Sequence, residues 1–365
     1  MSRGGTAMLK KTVSQLQPYV PETPLPELEK QLGLASVVRL SANENPFGTS
    51  PKVQQALQNW DFSNSRYYPD GDAAALRQAV ADYVKVAPER LLFGNGLDEV
   101  IELVSRTFLE TGDEVLELGP TFSEYKLHAQ IEDTIVHDVA VQADGIADLT
   151  ALAAAITPKT KLIWLCNPNN PTGTAVPQTE IAKFMAQVPR TVLVLIDEAY
   201  IDFVDKLATY TALPLLDQYD NLMVLRTFSK AYGLANFRVG YAVMPPKLAP
   251  SLQSVRLPYN LSAIAQLAAQ AALADQAFLQ ATVIRVRQAR QQWECFLQQH
   301  GFTFYHSQAN FTFFQAPHAL KLADYLLHNG FIVRTGLRPD WLRITFGTAE
   351  QNEKLQQLIL AFYEK

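Results

Sequence analysis

Apolar and polar positions along this 365-residue chain fall into three textures. Residues 1–45 are proline-rich and irregular (PYVPETPLPELE) and then extended (SVVRLSANENP). They read as an N-terminal arm rather than a folded unit. The spacing next predicts a helix over 73–86 (AAALRQAVADYVKV lies within it), with Asp72 as its N-cap. A second helix fits LDEVIELVSRTFLE, where Val100, Ile101, Val104 and Phe108 share one face. An alternation follows. EVLELGPTF, KLIWLCNPNNPTG, TVLVLIDEAY and NLMVLRTFSK each run as a short apolar strand into a polar turn, and amphipathic stretches such as PQTEIAKFMAQV lie between them.

Continuous apolar strands alternating with amphipathic helices indicate a mostly parallel sheet covered on both faces. From about residue 260 the pattern changes. A long helical stretch, AQLAAQAALADQ through WECFLQQHG, precedes ANFTFFQ, GFIVRT and WLRITFG, with helices between and after. The chain is thus expected as an arm over 1–45, a large α/β unit over 46–258 and a smaller α+β unit over 259–365. The polar motifs of the large unit sit just beyond the strands' carboxyl ends, where open α/β sheets bind ligands.

Composition narrows the function. Hydrophobic residues make up 48% and charged residues 18%, an ordinary globular balance, and the net charge of −5 leaves no basic footprint for nucleic acid. No apolar run reaches the ~18–20 residues that span a bilayer, and the start lacks an apolar stretch of signal-peptide length. A cytoplasmic protein is expected. Two cysteines, Cys166 and Cys295, fit free thiols better than a disulfide framework. The six histidines form no HxxxH or HxH pair, so no metal site is expected.

Four strand-end motifs carry the chemistry. GNGLDEV puts two glycines before a helix start, where free amides form an anion site; a plain glycine turn reads equally well. It is neither a Walker loop nor a dinucleotide fingerprint, because no GK[ST] follows and Glu99 stands where the third glycine would be. NPNNPTG is turn chemistry, or it offers an asparagine to a phenolic oxygen. In DEAY, Asp197 ends a buried strand. Such a carboxylate is either ion-paired internally or kept for a cationic ligand, and Tyr200 can present a phenol to the same place or simply pack. In RTFSKAYGLANFRVG, Lys230 is either a solvated lysine or an amine that, shielded from water, attacks a carbonyl.

Taken together, the motifs describe one ligand. A phosphate would meet the Gly96, Leu97 and Asp98 amides, Ser229 and Arg238. A protonated ring nitrogen would meet Asp197, a phenolic oxygen Asn170 and Tyr200, and an aldehyde Lys230. That ligand is pyridoxal 5′-phosphate, held as a Schiff base on Lys230. Lys230, displaced by a substrate amine, would then shuttle the Cα proton.

The order NENPFG, YYPDG, GNGLDE, PTF, NPNNPTG, DEAYIDF, RTFSKAYGLANFRVGY, PYN, ANF, VRTG, LRITFGT resembles the fold-type I, class II aminotransferases, and within them the histidinol-phosphate branch. The resemblance runs from about Tyr19 to the end. It implies a large domain with a mostly parallel seven-stranded sheet flanked by helices, and a smaller α+β C-terminal domain. By the same resemblance Lys230 is the cofactor lysine, Asp197 the pyridinium partner, and Asn170 and Tyr200 the phenolate partners. Thr227, Ser229 and Arg238 form the phosphate cluster. Phe122 stands where an aromatic ring, often tyrosine, stacks on the cofactor. Tyr68 reaches the phosphate from the partner subunit, which implies a homodimer with shared sites. Arg334 and Arg343 take the substrate's anionic groups. Apart from the resemblance, the brief segment between them (TGLRPDWL) offers Arg338 as a third positive group. Asn43 and Tyr19 belong to the arm that closes over the substrate.

The activity this implies is amino-group exchange between L-histidinol phosphate and 2-oxoglutarate, in histidine synthesis. An aromatic amino-acid aminotransferase is the first alternative, because an apolar slot discriminates only modestly between similar rings. A phosphothreonine-type decarboxylase on the same cofactor is the second. A cofactor-dependent binding protein is the non-enzymatic reading, and no DNA-reading helix or basic appendage supports it.

Overall fold

The computed structural model describes residues 10–16 and 22–364. Its centre is a seven-stranded sheet of β2 (Leu91–Asn95), β3 (Glu114–Gly119), β4 (Ile135–Ala140), β5 (Thr160–Cys166), β6 (Leu193–Asp197), β7 (Leu222–Thr227) and β8 (Val239–Val243), with β1 (Val38–Arg39) lying outside it. The spatial order is β2-β8-β7-β6-β5-β3-β4. All neighbours are parallel except β8, which runs antiparallel to β7 and β2.

Side-chain alternation explains why these strands look uniformly apolar. In β5, Ile163 and Leu165 join the core on one face, and Leu162, Trp164 and Cys166 join the core on the other. β6 and β7 repeat this, with Val194, Ile196 and Val224 on the first face and Leu195, Met223 and Leu225 on the second. Both faces are dry, so every position is apolar. Each such side chain, fully buried, contributes about 1.5–3 kcal/mol.

Three expectations are corrected in detail. The expected 73–86 helix spans Ala74–Val84, and Asp72 does not cap it. Ala73 is left-handed (φ 48°), so the chain turns before the helix and Asp70 reaches the free amides, accepting from Ala74 N at 2.8 Å. The stretch read as irregular contains a helix, Leu25–Leu32, with a proline in its first turn, where no N–H is missed, and Gly33 at φ 66° closing it. The long helical run after 260 is two helices, Ala263–Leu273 and Gln276–Gln299, the second capped by Asp275.

The C-terminal part carries an antiparallel pair, β9 (Phe311–Gln315) and β11 (Trp341–Thr345). It also carries β10 (Phe331–Ile332), which pairs in parallel with β1 of the arm. That pairing carries residues 40–44 across the carboxyl edge of the large sheet. Among the described residues, no helix is long and apolar enough to cross a membrane.

Candidate active site

The adjacent parallel strands β5, β6 and β7 end in Cys166, Asp197 and Thr227, and all three line one cavity of ≈ 150 Å³. Asp197 is buried, with Tyr125 Oη donating to its Oδ2 at 2.6 Å and Ala199 N to its Oδ1 at 2.9 Å. Tyr125 is locked in turn, stacked on Trp164 with centroids 4.5 Å apart. Burial raises the Asp197 carboxyl to about 6, and the bonds from Tyr125 and Ala199 hold it back. Among the described residues no cation pairs with it. A buried carboxylate with two donors and no counter-charge calls for a cationic ligand.

Lys230 lies just past β7, with Nζ donating to the Ala42 carbonyl at 3.0 Å and 5.7 Å from the Tyr200 ring centre. Burial, and after it the Arg343 guanidinium, lowers its ammonium to about 8. A neutral, nucleophilic fraction is therefore accessible near neutral pH. The Tyr200 phenol is kept protonated mainly by burial and accepts from Asn43 Nδ2 at 3.0 Å. Asn43 is itself buried, bonded to Thr345 Oγ1 and Asn310 Nδ2. Asn43, expected in a closing arm, donates to the Tyr200 phenol and lines a second, wider cavity.

Leu97, Asp98, Thr227, Ser229 and Arg238, the residues of the anion cluster, line the same cavity. Leu97 and Asp98 open the helix Leu97–Phe108, and their amides have no intrahelical acceptor. Gly96 differs from its expected part. Its amide is taken by the Arg238 carbonyl at 3.0 Å, so it is not a free donor. Its contribution is space: a Cβ there would stand 2.3 Å from Arg238 Nη2, and its φ is 81°. Arg238, at φ 55°, rests on Asp98 Oδ2 at 2.9 Å. Thr227 Oγ1 accepts from Ser229 N at 3.0 Å, and both residues line the cavity. Phe122 forms another wall, edge-on to Tyr125.

A wider cavity of ≈ 840 Å³ opens over the first and shares Phe122, Asn170, Tyr200 and Lys230 with it. Arg343 and Arg334 line it and pair through their backbones. The Arg343 side chain is buried, donating to Asn170 Oδ1 and Ser41 O, while its Nε has no partner. Burial lowers it to about 10. With its carbonyl oxygen on Arg343, Asn170 keeps Nδ2 as the donor for a ligand. Arg338 does not serve as the third positive group: it donates to Tyr305 Oη at 2.6 Å and covers the Trp341 ring. Tyr68 lines neither cavity; it is 82% exposed and stacks on Tyr259. Tyr19 lies outside the described residues. Sequence reasoning missed Tyr125 and Cys166. Tyr125 had one signal, a position one helical turn past Phe122.

Comparison with known proteins agrees with this geometry. The aminotransferase class I and II family matches residues 35–359. The chain belongs to that family. This aminotransferase is 53% identical to a histidinol-phosphate aminotransferase of Lactiplantibacillus plantarum, over 97% of this chain and 99% of that one. It is 50% identical to one from Limosilactobacillus fermentum, over 96% and 98%. A solved histidinol-phosphate aminotransferase of Sinorhizobium meliloti, in complex with pyridoxal 5′-phosphate, superposes on this aminotransferase with TM-score 0.88. The two are 28% identical over 99% of this chain and 100% of that one.

Proposed function

We propose that this aminotransferase moves the amino group between L-histidinol phosphate and 2-oxoglutarate, with pyridoxal 5′-phosphate held in the smaller cavity. The carrying observation is the convergence of an unpaired buried carboxylate, a lysine lowered to about 8 and an anion cluster on one cavity. That donor set fits the cofactor: Asp197 suits a ring N–H, Asn170 Nδ2 and Tyr200 a phenolate, and Lys230 an aldehyde. The Leu97 and Asp98 amides with Thr227, Ser229 and Arg238 suit a phosphate. The substrate assignment follows the two lactic-acid-bacterial relatives, which are alike over nearly the whole chain.

Bound there, pyridoxal phosphate supplies an aldehyde that carries the amino group and a ring that accepts the electron pair of the broken Cα–H bond. Asp197 keeps the ring nitrogen protonated. Lys230 would hold the aldehyde and, as a free amine, would carry the substrate Cα proton. Phe122, on the cavity wall, would pack against the ring. Arg334 and Arg343 hold the anionic ends of both substrates.

We further propose a homodimer with shared sites. The support is a set of exposed apolar side chains, Phe62, Tyr67, Tyr68, Leu257, Tyr259 and Ile264, of which Tyr68 and Tyr259 stack on each other. The two cysteines are free, in keeping with a cytoplasmic location.

The test is the visible spectrum of the cofactor-loaded protein. L-Histidinol phosphate without an acceptor is expected to remove the visible band, and 2-oxoglutarate to restore it. A loaded protein whose spectrum ignores histidinol phosphate but responds to phenylalanine or tyrosine would move the assignment to aromatic amino acids. A protein that takes up no cofactor would overturn the reading of Lys230.

A further inference from the structure

We propose that Arg39 is a third anion-receiving arginine of the substrate cavity, selective for a phosphate monoester, and that Glu44 occupies it until that substrate arrives. The inference rests on the transamination reading above. It begins with the segment 39–44, which touches every reactive group on its side of the cavity. Ser41 O accepts from Arg343, Ala42 O accepts from Lys230, and Asn43 donates to Tyr200. Arg39 and Glu44 bracket these contacts, and both line the wider cavity with Arg334, Arg343 and Lys230.

Arg39 Nε and Nη2 donate to the two oxygens of Glu44 at 2.8 and 2.5 Å. This parallel fork is the geometry in which a guanidinium receives a carboxylate or a phosphate. Both side chains are 34% exposed, and ion pairs this open to water come apart at little cost. Glu44 thus fills the place of an incoming anion without blocking it.

The exchange favours phosphate. A substrate carboxylate that displaces Glu44 replaces one single charge with another, so little is gained. A phosphate monoester brings close to two charges and three acceptor oxygens. Arg39 therefore separates the two substrates of the reaction, whereas Arg334 and Arg343 serve both. It also supplies the extra positive charge that Arg338, held by Tyr305, does not.

Two readouts test this on the cofactor-loaded protein, whose own phosphate cluster is filled. Calorimetry with inorganic phosphate measures the site, and steady-state kinetics with histidinol phosphate and 2-oxoglutarate measures its use. Arg39→Gln is expected to weaken phosphate binding and to raise KM for histidinol phosphate roughly ten- to a hundredfold. Its kcat and its KM for 2-oxoglutarate are expected to stay within about twofold. Arg39→Lys restores part of the loss, and Glu44→Gln, which frees Arg39, tightens phosphate binding. Unchanged phosphate affinity in Arg39→Gln, equal loss for both substrates, or a fall in kcat alone would overturn the proposal. Wild-type protein that binds phosphate through Arg39 yet does not turn over histidinol phosphate would keep the anion site and remove the functional reading instead.

Discussion

Tyr125 Oη donates to Asp197 Oδ2 at 2.6 Å in a position closed to water. The bond opposes the effect of burial, since it favours the ionised carboxylate that burial disfavours. Tyr125→Phe keeps the ring stacked on Trp164 and removes only the donor. The Asp197 carboxyl is then expected to rise above about 6. In the cofactor-free protein the titration profile of the Asp197 carboxyl, read by its infrared carbonyl band, should move to higher pH by about one unit, and the loaded enzyme should show a modest loss of rate. A profile identical to wild type would mean that the phenol serves packing alone.

Asp197→Asn tests the charge itself, and it separates stability from activity. The folded-state pKa of about 6 lies above the ordinary 3.8. A raised acid is least costly where it is protonated in both states, below about 4. Its stability contribution is lost as pH rises through 6. Above that, the ionised group costs the cofactor-free protein on the order of 3 kcal/mol. Asn carries no such penalty. Cofactor-free Asp197→Asn is expected to melt higher than wild type at pH 8, with the difference vanishing near pH 4, while transamination falls by orders of magnitude. Thermal melts across pH decide it: a lower melting temperature at pH 8 would show that the carboxylate stabilises the empty fold.

Gly96→Ala addresses the anion cluster without changing any charge. The added Cβ would meet Arg238 Nη2 at 2.3 Å, on a backbone at φ 81° that alanine adopts with strain. Arg238 must swing away from the cavity, and the backbone strain adds about 1–2 kcal/mol. Cofactor affinity, read by fluorescence titration, is expected to fall roughly tenfold or more, while Lys230 chemistry in the loaded fraction is preserved. Unchanged affinity would place the phosphate elsewhere.

How far the sequence foretold this arrangement depends on how local each signal is. Uniformly apolar strands announced a sheet covered on both faces, and the positions at and just past their carboxyl ends marked Asp197, Tyr200, Thr227 and Lys230, which the cavity brings together. Contacts between distant segments left no such trace. Asn43 reads as part of an arm closing over the substrate, and its partners, Tyr200 and Thr345, lie too far along the chain for the sequence to show them. Arg338 looked available because its motif sits between two arginines of the cavity, yet Tyr305 and Trp341 hold it. Asp72 looked like a cap because it precedes the helix, but one left-handed residue, Ala73, passed that role to Asp70. Side-chain type and spacing reveal what a strand end can do. They do not reveal which remote backbone carbonyl or phenol will already have engaged it.

The shared-site dimer can be tested by complementation. Lys230→Ala is expected to fold and to lose turnover by at least about 10⁴-fold, because the amine is both the attachment point and the proton carrier. Tyr68→Ala removes a ring that lies on the surface of its own chain, stacked on Tyr259, and that lines neither cavity. If Tyr68 completes the partner's site, a mixed dimer of the two variants holds one site with both residues intact and one with neither. Random reassociation of equal amounts makes about half the dimers mixed, so about a quarter of the sites are native. Activity after unfolding and refolding the mixture together is therefore expected to approach a quarter of wild type, well above that of either variant alone. Activity no greater than the mean of the two separately refolded variants would show that each site is built from a single chain.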